Sequence, residues 1–447
     1  MQSTQLIEKI KNNSIIVAIV GLGYVGLPLA VGFAKKGITV IGYDVNEKRI
    51  DELKNGHDRT LEIEDNNLKN IKNIVYTKEE NELKKADVYI ITVPTPVDAH
   101  KVPDLHFIKS ASEAIGRNFG NNRIVILEST VYPGVTEELV VSTIEKLSGL
   151  KYLKDFKAGY SPERINPGDK EHNLESVVKV VSGSDEETLD AIDELYKKVA
   201  KKTFRAKNIR VAEAAKVIEN TQRDINIALV NELSMLFEKI GLDTWDVLET
   251  ARTKWNFLDF KPGLVGGHCI PEDPYYLVHL AVREGFHPQI ITAGRRINDS
   301  VPEYILNKLI KKSNEIDAKI NGMKILVLGL TFKENVPDVR SSLTIRILKS
   351  LVERGAIVST HDPMLSNEDI KKIIDNKISI IDRIDSSTNG FDCVILNVFH
   401  NAFKKLAENG IIDLCKNNKG KKPIIFDVRH MLNKNKIESL GAVYVSM

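Results

Sequence analysis

Hydrophobic residues in the first part of the chain form short uninterrupted runs, each followed by a segment with helical spacing. Ser14–Val20 is a β-branched run that predicts a buried strand, and residues 27–37 place apolar side chains at helical intervals. The next run ends on Asp44, and the runs within 86–96 and 122–130 stop at polar loops that contain proline. This alternation predicts an α/β fold with a doubly wound parallel sheet.

The pattern changes in the middle of the chain and then returns. Val211–Gly241 has strong helix formers, no proline and no glycine before its last residue, which predicts one long helix of the kind that often carries a dimer interface. From Met323 onward, strands and helices alternate again. We therefore expect two Rossmann-like doubly wound domains joined by a central helical domain with a long connecting helix. The predicted boundaries are 1–205, 206–318 and 319–447.

Composition narrows the possible partners and compartments. The formal net charge is only +2 and both signs are interspersed, which excludes the basic surface that nucleic acid requires. Ile15–Ala34 has no charge and the length of a membrane span, but four glycines and Pro28 interrupt it as a strand, a turn and a helix. The three cysteines are widely separated, which argues against a disulfide framework and favours the reducing cytoplasm.

The segment GLGYVG follows the first predicted strand and opens a helix. Gly21, Gly23 and Gly26 permit a tight turn and the approach of a pyrophosphate to the helix N-terminus. Asp44, at the end of the next strand, can accept hydrogen bonds from ribose hydroxyls, which favours NAD over NADP. Arg49 is the residue that would instead meet a 2′-phosphate.

Cys269 lies in GGHCIPEDP and has three possible roles on local chemistry. As a nucleophile it needs access and a polar neighbour, and Asp273 follows four residues later. As a small buried residue it would need neither. As a metal ligand it would need partners, and His268, Asp273 and His279 do not have a familiar ligand spacing.

Three further polar groups have both a functional and an ordinary interpretation. Lys216 and Asn220 share one face of the long predicted helix, which indicates either a cleft or a solvated stripe. Glu163 and Arg164 lie in a proline-bounded loop that either carries function or only turns the chain. Lys333 follows a strand-end glycine and either binds phosphate or lies on the surface.

The motifs, in order along the chain, resemble the UDP-glucose/GDP-mannose dehydrogenase family. They are GLGYVGLPLA, VPTP, ESTVYPG, SPERINPGDK, KVIENTQRDINIALVNEL, GGHCIPEDPYYL and GLTFKENVPDVR. Within that family, SPERINPGDK, TKWNFLDFKPGLVGGHC and IENTQRD are most similar to the UDP-N-acetylhexosamine 6-dehydrogenases. The most similar branch oxidises UDP-N-acetyl-D-glucosamine for surface polysaccharides, and the UDP-N-acetyl-D-mannosamine enzymes are near relatives.

The resemblance implies a four-electron, NAD-dependent oxidation of the sugar C6 hydroxyl to a carboxylate. Cys269 matches the nucleophile that forms a thiohemiacetal and then a thioester. Lys216 matches the lysine that stabilises the oxyanion, with Asn220 beside it. Asp273 matches the carboxylate that helps activate water, and Glu163 is a second acid–base candidate. Thr130 matches a threonine near the reacting centre.

The same resemblance implies which residues bind the ligands and which ligand each domain binds. The N-terminal domain would bind NAD, the central domain would carry the lysine and cysteine, and the C-terminal domain would bind the UDP-sugar. The NAD-contacting positions are Gly21, Gly23, Tyr24, Val25, Gly26, Asp44, Arg49, Thr95, Thr130 and Arg340. The substrate-contacting positions are Arg164, Ile165, Lys216, Asn220, Arg223, Gly263, Phe332 and Lys333, with Arg252 as the arginine that a partner subunit would donate.

One departure from the family pattern and several alternative functions follow from the sequence. Glu272 stands where a small apolar residue or lysine is expected, and an inward-pointing carboxylate there would raise the pKa of the thiol. Alternative substrates are UDP-N-acetyl-D-mannosamine, UDP-N-acetyl-D-galactosamine and, more remotely, UDP-glucose. Alternative functions are a two-electron β-hydroxyacid-type dehydrogenase, which would not need Cys269, and a catalytically silent NAD-binding protein.

Overall fold

The computed structural model describes residues 2–164, 176–418 and 422–447, and the chain divides into two compact units. Unit 1 comprises Met1–Glu219 and Tyr275–Phe286, and unit 2 comprises Asn220–Pro274 and His287–Met447. The central segment is therefore shared between the two units. The division into three domains at 205 and 318 stays a prediction.

Unit 1 is built on a sheet that, in the described part of the chain, has eight strands. They are β1 Ile16–Val20, β2 Thr39–Tyr43, β3 Ile74–Thr77, β4 Val88–Ile91, β5 Arg123–Leu127, β6 Phe156–Tyr160, β7 Val178–Gly183 and β8 Lys202–Arg205. Their order is β3-β2-β1-β4-β5-β6-β7-β8, and only the β6–β7 pair is antiparallel. The strand order reverses direction between β1 and β4, which places a crevice at the carboxyl ends of these strands.

Helices cover both faces of this sheet because alternate residues of each strand point to opposite sides. In β1, Val17 and Ile19 belong to one apolar core, and Ala18 and Val20 belong to the other. The helices are α1 Gln2–Lys11, α2 Gly26–Lys35, α3 Glu47–Lys54, α4 Asp65–Lys69, α5 His106–Asn118, α6 Ser142–Ser148 and α7 Glu186–Tyr196, with a 3₁₀ turn at Glu80–Lys85 and a π-helical segment at Thr136–Val141. The doubly wound sheet predicted from the sequence is confirmed.

The central segment is helical, as predicted. It consists of α8 Ile209–Ile240, α9 Thr244–Arg252, α10 Asp273–Arg283 and α11 Gln289–Glu315. Helix α8 confirms the predicted long helix. The 27-residue helix α11 was not predicted, and it contains Pro302, a residue that ordinarily interrupts helices. Pro302 is buried, so tertiary packing outweighs its local preference.

Unit 2 contains a second sheet, which has six parallel strands in the described residues. They are β9 Lys324–Leu328, β10 Ile357–His361, β11 Ser379–Ile380, β12 Cys393–Leu396, β13 Ile424–Asp427 and β14 Val443–Ser446, in the order β11-β10-β9-β12-β13-β14. Helices α12 Thr344–Glu353, α13 Asn367–Ile373, α14 Asn401–Lys404, α15 Ala407–Asp413 and α16 Lys434–Ser439 accompany it. The second Rossmann-like sheet is thus also confirmed.

Within residues 2–164, 176–418 and 422–447, the helices are all too short or too polar to cross a bilayer.

Candidate active site

The glycine-rich turn between β1 and α2 has the form of a dinucleotide loop. A Cβ on Gly26 would lie 1.9 Å from the carbonyl oxygen of Gly21, so only glycine allows α2 to start this close to the strand. A Cβ on Gly23 would meet no atom within 4 Å. The missing side chain at Gly23 therefore leaves open space rather than relieving an internal clash. This space is what the approach of a pyrophosphate to the N-terminus of α2 requires.

Asp44 and Arg49 flank this turn in different ways. Asp44 is half-buried at the end of β2, and its carboxylate accepts the backbone N–H groups of Leu22 and Asn46 at 2.9 Å each. Arg49 is buried, its Nε donates to the carbonyl of Leu22 at 2.9 Å, and its Nη2 lies 2.9 Å from Asp58. The guanidinium of Arg49 thus stabilises the loop through Leu22 and is paired with Asp58, so it does not present its charge to a 2′-phosphate. The site therefore fits NAD.

Three further candidates follow neighbouring parallel strands of the same sheet. Thr95 follows β4, Thr130 follows β5 and Glu163 follows β6, so all three lie at the carboxyl edge where ligands bind in such sheets. The carbonyl of Thr95 accepts a hydrogen bond from the hydroxyl of Tyr276 at 2.6 Å. Glu163 is almost fully buried, and its Oε1 accepts the N–H of Arg164 at 2.6 Å. Unit 1 therefore gathers the residues that the sequence predicted for it.

Arg164 and Lys216 complete the candidates of unit 1. The guanidinium of Arg164 lies 2.8 Å from Glu219 and donates to the carbonyl of Val178 at 2.9 Å. Lys216 is half-buried on α8, one turn before Asn220. Ile165, predicted to contact substrate, lies outside the described residues.

Unit 2 holds Cys269 immediately before helix α10. The carbonyl of Cys269 accepts the N–H groups of Glu272 at 3.2 Å and Asp273 at 2.9 Å, so the turn ties the cysteine to the start of the helix. Asp273 is 4% exposed, and its Oδ2 accepts a hydrogen bond from Asn220 Nδ2 at 2.6 Å. Two residues 53 positions apart in sequence are thus joined next to the cysteine.

The three cysteines differ in exposure, and the difference decides which thiol can react. Cys269 is exposed, whereas Cys393 and Cys415 are buried in the core of unit 2. Burial raises the pKa of Cys415 to about 12 and raises that of Cys393 well above its ordinary value. Only the thiolate is nucleophilic, so these two thiols are inert and Cys269 is the one suited to covalent chemistry.

Glu272 is turned away from solvent, with its side chain 13% exposed. Its Oε1 accepts from the Ser341 hydroxyl at 3.3 Å, and its Oε2 lies 3.7 Å from His268 Nε2. The expected effect of Glu272 on the thiol stays a prediction. Burial, followed by the charge of Arg340, lowers the pKa of His268, so at neutral pH His268 is an uncharged neighbour of Glu272.

Gly266 and Gly267 permit close packing next to Cys269. A Cβ on Gly266 would lie 2.9 Å from Phe332 Cβ, and one on Gly267 would lie 2.7 Å from the Phe332 ring. These glycines therefore allow the cysteine loop to pack on Phe332. Gly263 is held separately, because Asn231 donates to its carbonyl at 3.1 Å and accepts its N–H at 2.8 Å.

A pocket in unit 2 lies where β9 and β12 end, at the point where the strand order reverses. Phe332 and Lys333 line it. The substrate contacts that the resemblance implies for them stay a prediction. Asn397 and Arg429 also line it and were missed. Asn397 directly follows β12 and Arg429 is the second residue after β13, so their position at strand ends was the available signal. The buried Oδ1 of Asn397 has no hydrogen-bond partner among the described residues, so it can accept a hydrogen bond from a ligand.

Three predicted ligand-binding arginines lie at the surface of unit 2. Arg340 forms an ion pair with Asp338 at 2.6 Å, and Arg252 pairs with Asp259. Arg223 is exposed on α8. Their roles toward cofactor, substrate or a partner subunit stay predictions.

Comparison with known proteins finds three domain profiles of one family along the chain. The profile of the UDP-glucose/GDP-mannose dehydrogenase family matches with its NAD binding domain at residues 15–200, its central domain at 210–300 and its UDP binding domain at 326–434. The chain is 48% identical to a UDP-N-acetyl-D-glucosamine 6-dehydrogenase of Pseudomonas aeruginosa over 94% of this chain and 98% of that protein. It is 45% identical to the enzyme of the same name from Salmonella typhi, over 93% and 96% of the two chains.

The fold has solved counterparts. The structure of UDP-D-ManNAc dehydrogenase from Pyrococcus horikoshii superposes with a TM-score of 0.86 at 29% identity and covers 97% of this chain and 99% of that one.

Proposed function

The chain belongs to the UDP-glucose/GDP-mannose dehydrogenase family and is an NAD-dependent oxidoreductase, and from that premise we propose that it oxidises C6 of UDP-N-acetyl-D-glucosamine to the carboxylate. The observation that carries the proposal is the exposed Cys269. Its carbonyl accepts the N–H of Asp273 at the start of α10, and the carboxylate of Asp273 accepts a hydrogen bond from Asn220. A thiol in this position has a purpose in a four-electron oxidation but none in a simple alcohol dehydrogenase. The uronic acid would enter synthesis of a surface polysaccharide or another glycan.

The chain's own residues would hold the two ligands. In unit 1, the turn at Gly21, Gly23 and Gly26 accommodates the pyrophosphate, and Asp44 accepts the ribose hydroxyls. In unit 2, the pocket lined by Phe332 and Lys333 would receive the UDP group. When bound, NAD supplies the hydride acceptor for both oxidations.

Cys269 would carry the sugar between the two oxidations. After the alcohol has been oxidised to the aldehyde, the thiolate sulfur attacks C6 and forms a C–S bond. The ammonium of Lys216 stabilises the resulting oxyanion. Loss of a second hydride from C6 converts the thiohemiacetal into a thioester.

Hydrolysis would then release the product and restore the thiol. Water attacks the thioester carbon, Asp273 or Glu163 accepts a proton from that water, and the C–S bond breaks to return the thiolate of Cys269. One alcohol, one water and two NAD⁺ thus give one carboxylate, two NADH and three protons.

The stoichiometry of NADH tests this proposal. With limiting UDP-N-acetyl-D-glucosamine and excess NAD, we expect two NADH per sugar, measured by absorbance, and one equivalent of uronic acid. A matched reaction with the manno epimer is the control for sugar configuration. One NADH per sugar would contradict the thioester route, and no NADH from this sugar would refute the proposed substrate.

We further propose that the enzyme is a homodimer. Helix α8 exposes Leu229, Leu236 and Ile240 by 53, 47 and 59%, and their spacing of seven and four residues places them on one stripe. An apolar stripe on a long helix is typical of a surface that packs against a second helix. Sedimentation equilibrium should give twice the chain mass of 50.1 kDa, and a monomer at micromolar concentration would contradict the proposal.

We also propose a cytoplasmic location. A catalytic thiol needs a reducing compartment, and the other two cysteines are buried thiols. Fractionation of the native cells tests this, and recovery of the protein outside the cytoplasmic fraction would contradict it.

A further inference from the structure

Strand β7 contains a buried charge that the proposed mechanism does not use. Lys179 is the one charged residue in the strand, and its side chain is fully buried in unit 1. Lysine is almost never fully buried without partners. In the sequence, the signal for this residue is a lysine in the middle of the apolar run SVVKVVSG.

Lys179 is surrounded by two carboxylates and a tyrosine. Its Nζ lies 2.9 Å from Glu128 Oε2 and 3.3 Å from Glu163 Oε2. The hydroxyl of Tyr196 donates to the other oxygen of Glu128, and the Tyr196 ring centroid lies 5.2 Å from Nζ. Burial by itself lowers the pKa of Lys179, but the charges of Glu128 and Glu163 outweigh it and raise the pKa above its ordinary value. The two carboxylates thus favour the charged form of Lys179.

The strand directions explain why this cation is at the ligand-binding edge. Glu128 directly follows β5 and Glu163 follows β6, both at the carboxyl edge of the sheet. Because β7 runs antiparallel to β6, its beginning lies at that same edge, and Lys179 is its second residue. Glu128 is also two residues before Thr130. One cation thus joins the two loops that carry Thr130 and Glu163.

We propose that Lys179 is a positioning residue that holds Glu163 directly, and the Thr130 loop through Glu128, in the arrangement needed to hydrolyse the thioester. This inference rests on the proposed function. Both oxygens of Glu163 already accept N–H groups, one from Lys179 and one from the backbone of Arg164, so its carboxylate is fixed in orientation. A role in stability alone would not require an ion cluster, because apolar residues of similar volume commonly replace buried ion pairs without loss of stability.

The test compares the two phases of the reaction in the double variant Lys179→Met/Glu128→Gln. Met matches the lysine stem in length, and Gln keeps an acceptor for Tyr196, so the charges of Lys179 and Glu128 are removed together and no large cavity remains. Glu163 loses the ammonium of Lys179 but keeps the N–H of Arg164. The milder variant Tyr196→Phe removes one hydroxyl at the far end of the cluster and leaves every charge in place. Lys157→Met, which removes a partly exposed lysine of β6 that pairs with Asp185, is the matched control.

In the double variant we expect the first NADH to form at the wild-type rate and hydrolysis to slow roughly 10- to 100-fold, a fraction of the effect of a full acid–base group. Sugar bound to Cys269 should then accumulate, as measured by intact-protein mass spectrometry, while KM for NAD is unchanged. Tyr196→Phe should slow the same step less, and Lys157→Met should not slow it. When the double change is added to Glu163→Gln, hydrolysis should slow by less than about threefold relative to Glu163→Gln alone. The reason is that substitutions in residues that act as one unit do not have additive effects on the rate.

Wild-type rates of hydrolysis in the folded double variant, or in Tyr196→Phe if the double variant does not fold, would overturn the inference. Equal slowing of both oxidations would also overturn it, since that indicates a general structural defect. Whether the proposed function is wrong is decided by a different measurement, the NADH yield of the wild-type protein. If UDP-N-acetyl-D-glucosamine gives no NADH, the Lys179 comparison is made with the UDP-sugar that the wild type does oxidise.

Discussion

Replacing Cys269 by serine should abolish formation of the uronic acid, with a loss of rate on the order of 10⁴-fold or more. A serine hydroxyl is not ionised at neutral pH, so it cannot trap the aldehyde in the way proposed for the thiolate. The first oxidation needs no covalent bond, and the variant should yield at most one NADH per UDP-N-acetyl-D-glucosamine. NADH yield at limiting sugar, with anion-exchange analysis of the product, measures both quantities.

The matched control for this variant is Cys415→Ser. Cys415 is buried in the core of unit 2, so its replacement buries a hydroxyl and should lower the free energy of unfolding by about 1–3 kcal/mol without changing the two-NADH stoichiometry. If Cys269→Ser also gave two NADH per sugar at the wild-type rate, the covalent route would be wrong.

The second large effect is expected for Lys216→Met, which should lower kcat by about 10²- to 10³-fold. Methionine preserves the length and the apolar stem of lysine, so the change removes the ammonium that we propose to stabilise the oxyanion and little else. Stopped-flow measurement of the first and second NADH should show slowing of the steps in which negative charge develops on the C6 oxygen. NAD binding, measured by fluorescence titration, should be unaffected.

Lys239→Met provides a control on the same helix. Lys239 is exposed in the last turn of α8, so loss of its charge should change kcat by less than about twofold. A wild-type kcat in Lys216→Met would remove Lys216 from the mechanism and leave it as an ordinary polar residue of the helix.

Much of the fold was predictable because its signals are local. The strands β1, β2, β4, β5, β9, β10, β12 and β13 were all anticipated from short apolar runs, and α8 from helix formers without glycine or proline. The strands β6 and β7 were missed. Phe156–Tyr160 is interrupted by a lysine and a glycine, and β7 contains Lys179, so neither appears as an uninterrupted apolar run. Helix α11 was missed for a related reason, since Pro302 locally opposes it.

The candidate site was predictable to the extent that its residues follow strands or share a helix turn. Thr95 and Thr130 could be placed together because consecutive parallel strands bring their carboxyl ends to one edge, whereas Glu163 follows β6, a strand that was missed. The role of Gly266 and Gly267 could not be predicted, because the Phe332 side chain on which they pack is more than 60 residues away in sequence.

The sequence by itself determined the two doubly wound sheets, the glycine turn with Asp44, and the family, because periodicity and turn chemistry depend on near neighbours along the chain. Only the tertiary structure decided which charges are buried and what they meet. Arg49 behind the glycine turn, Asp273 held by Asn220, and Lys179 between two glutamates all depend on contacts between distant segments. The burial of a side chain cannot be read from its neighbours in sequence. A buried charge costs free energy unless it is paired, so burial decides which charged residues need a partner.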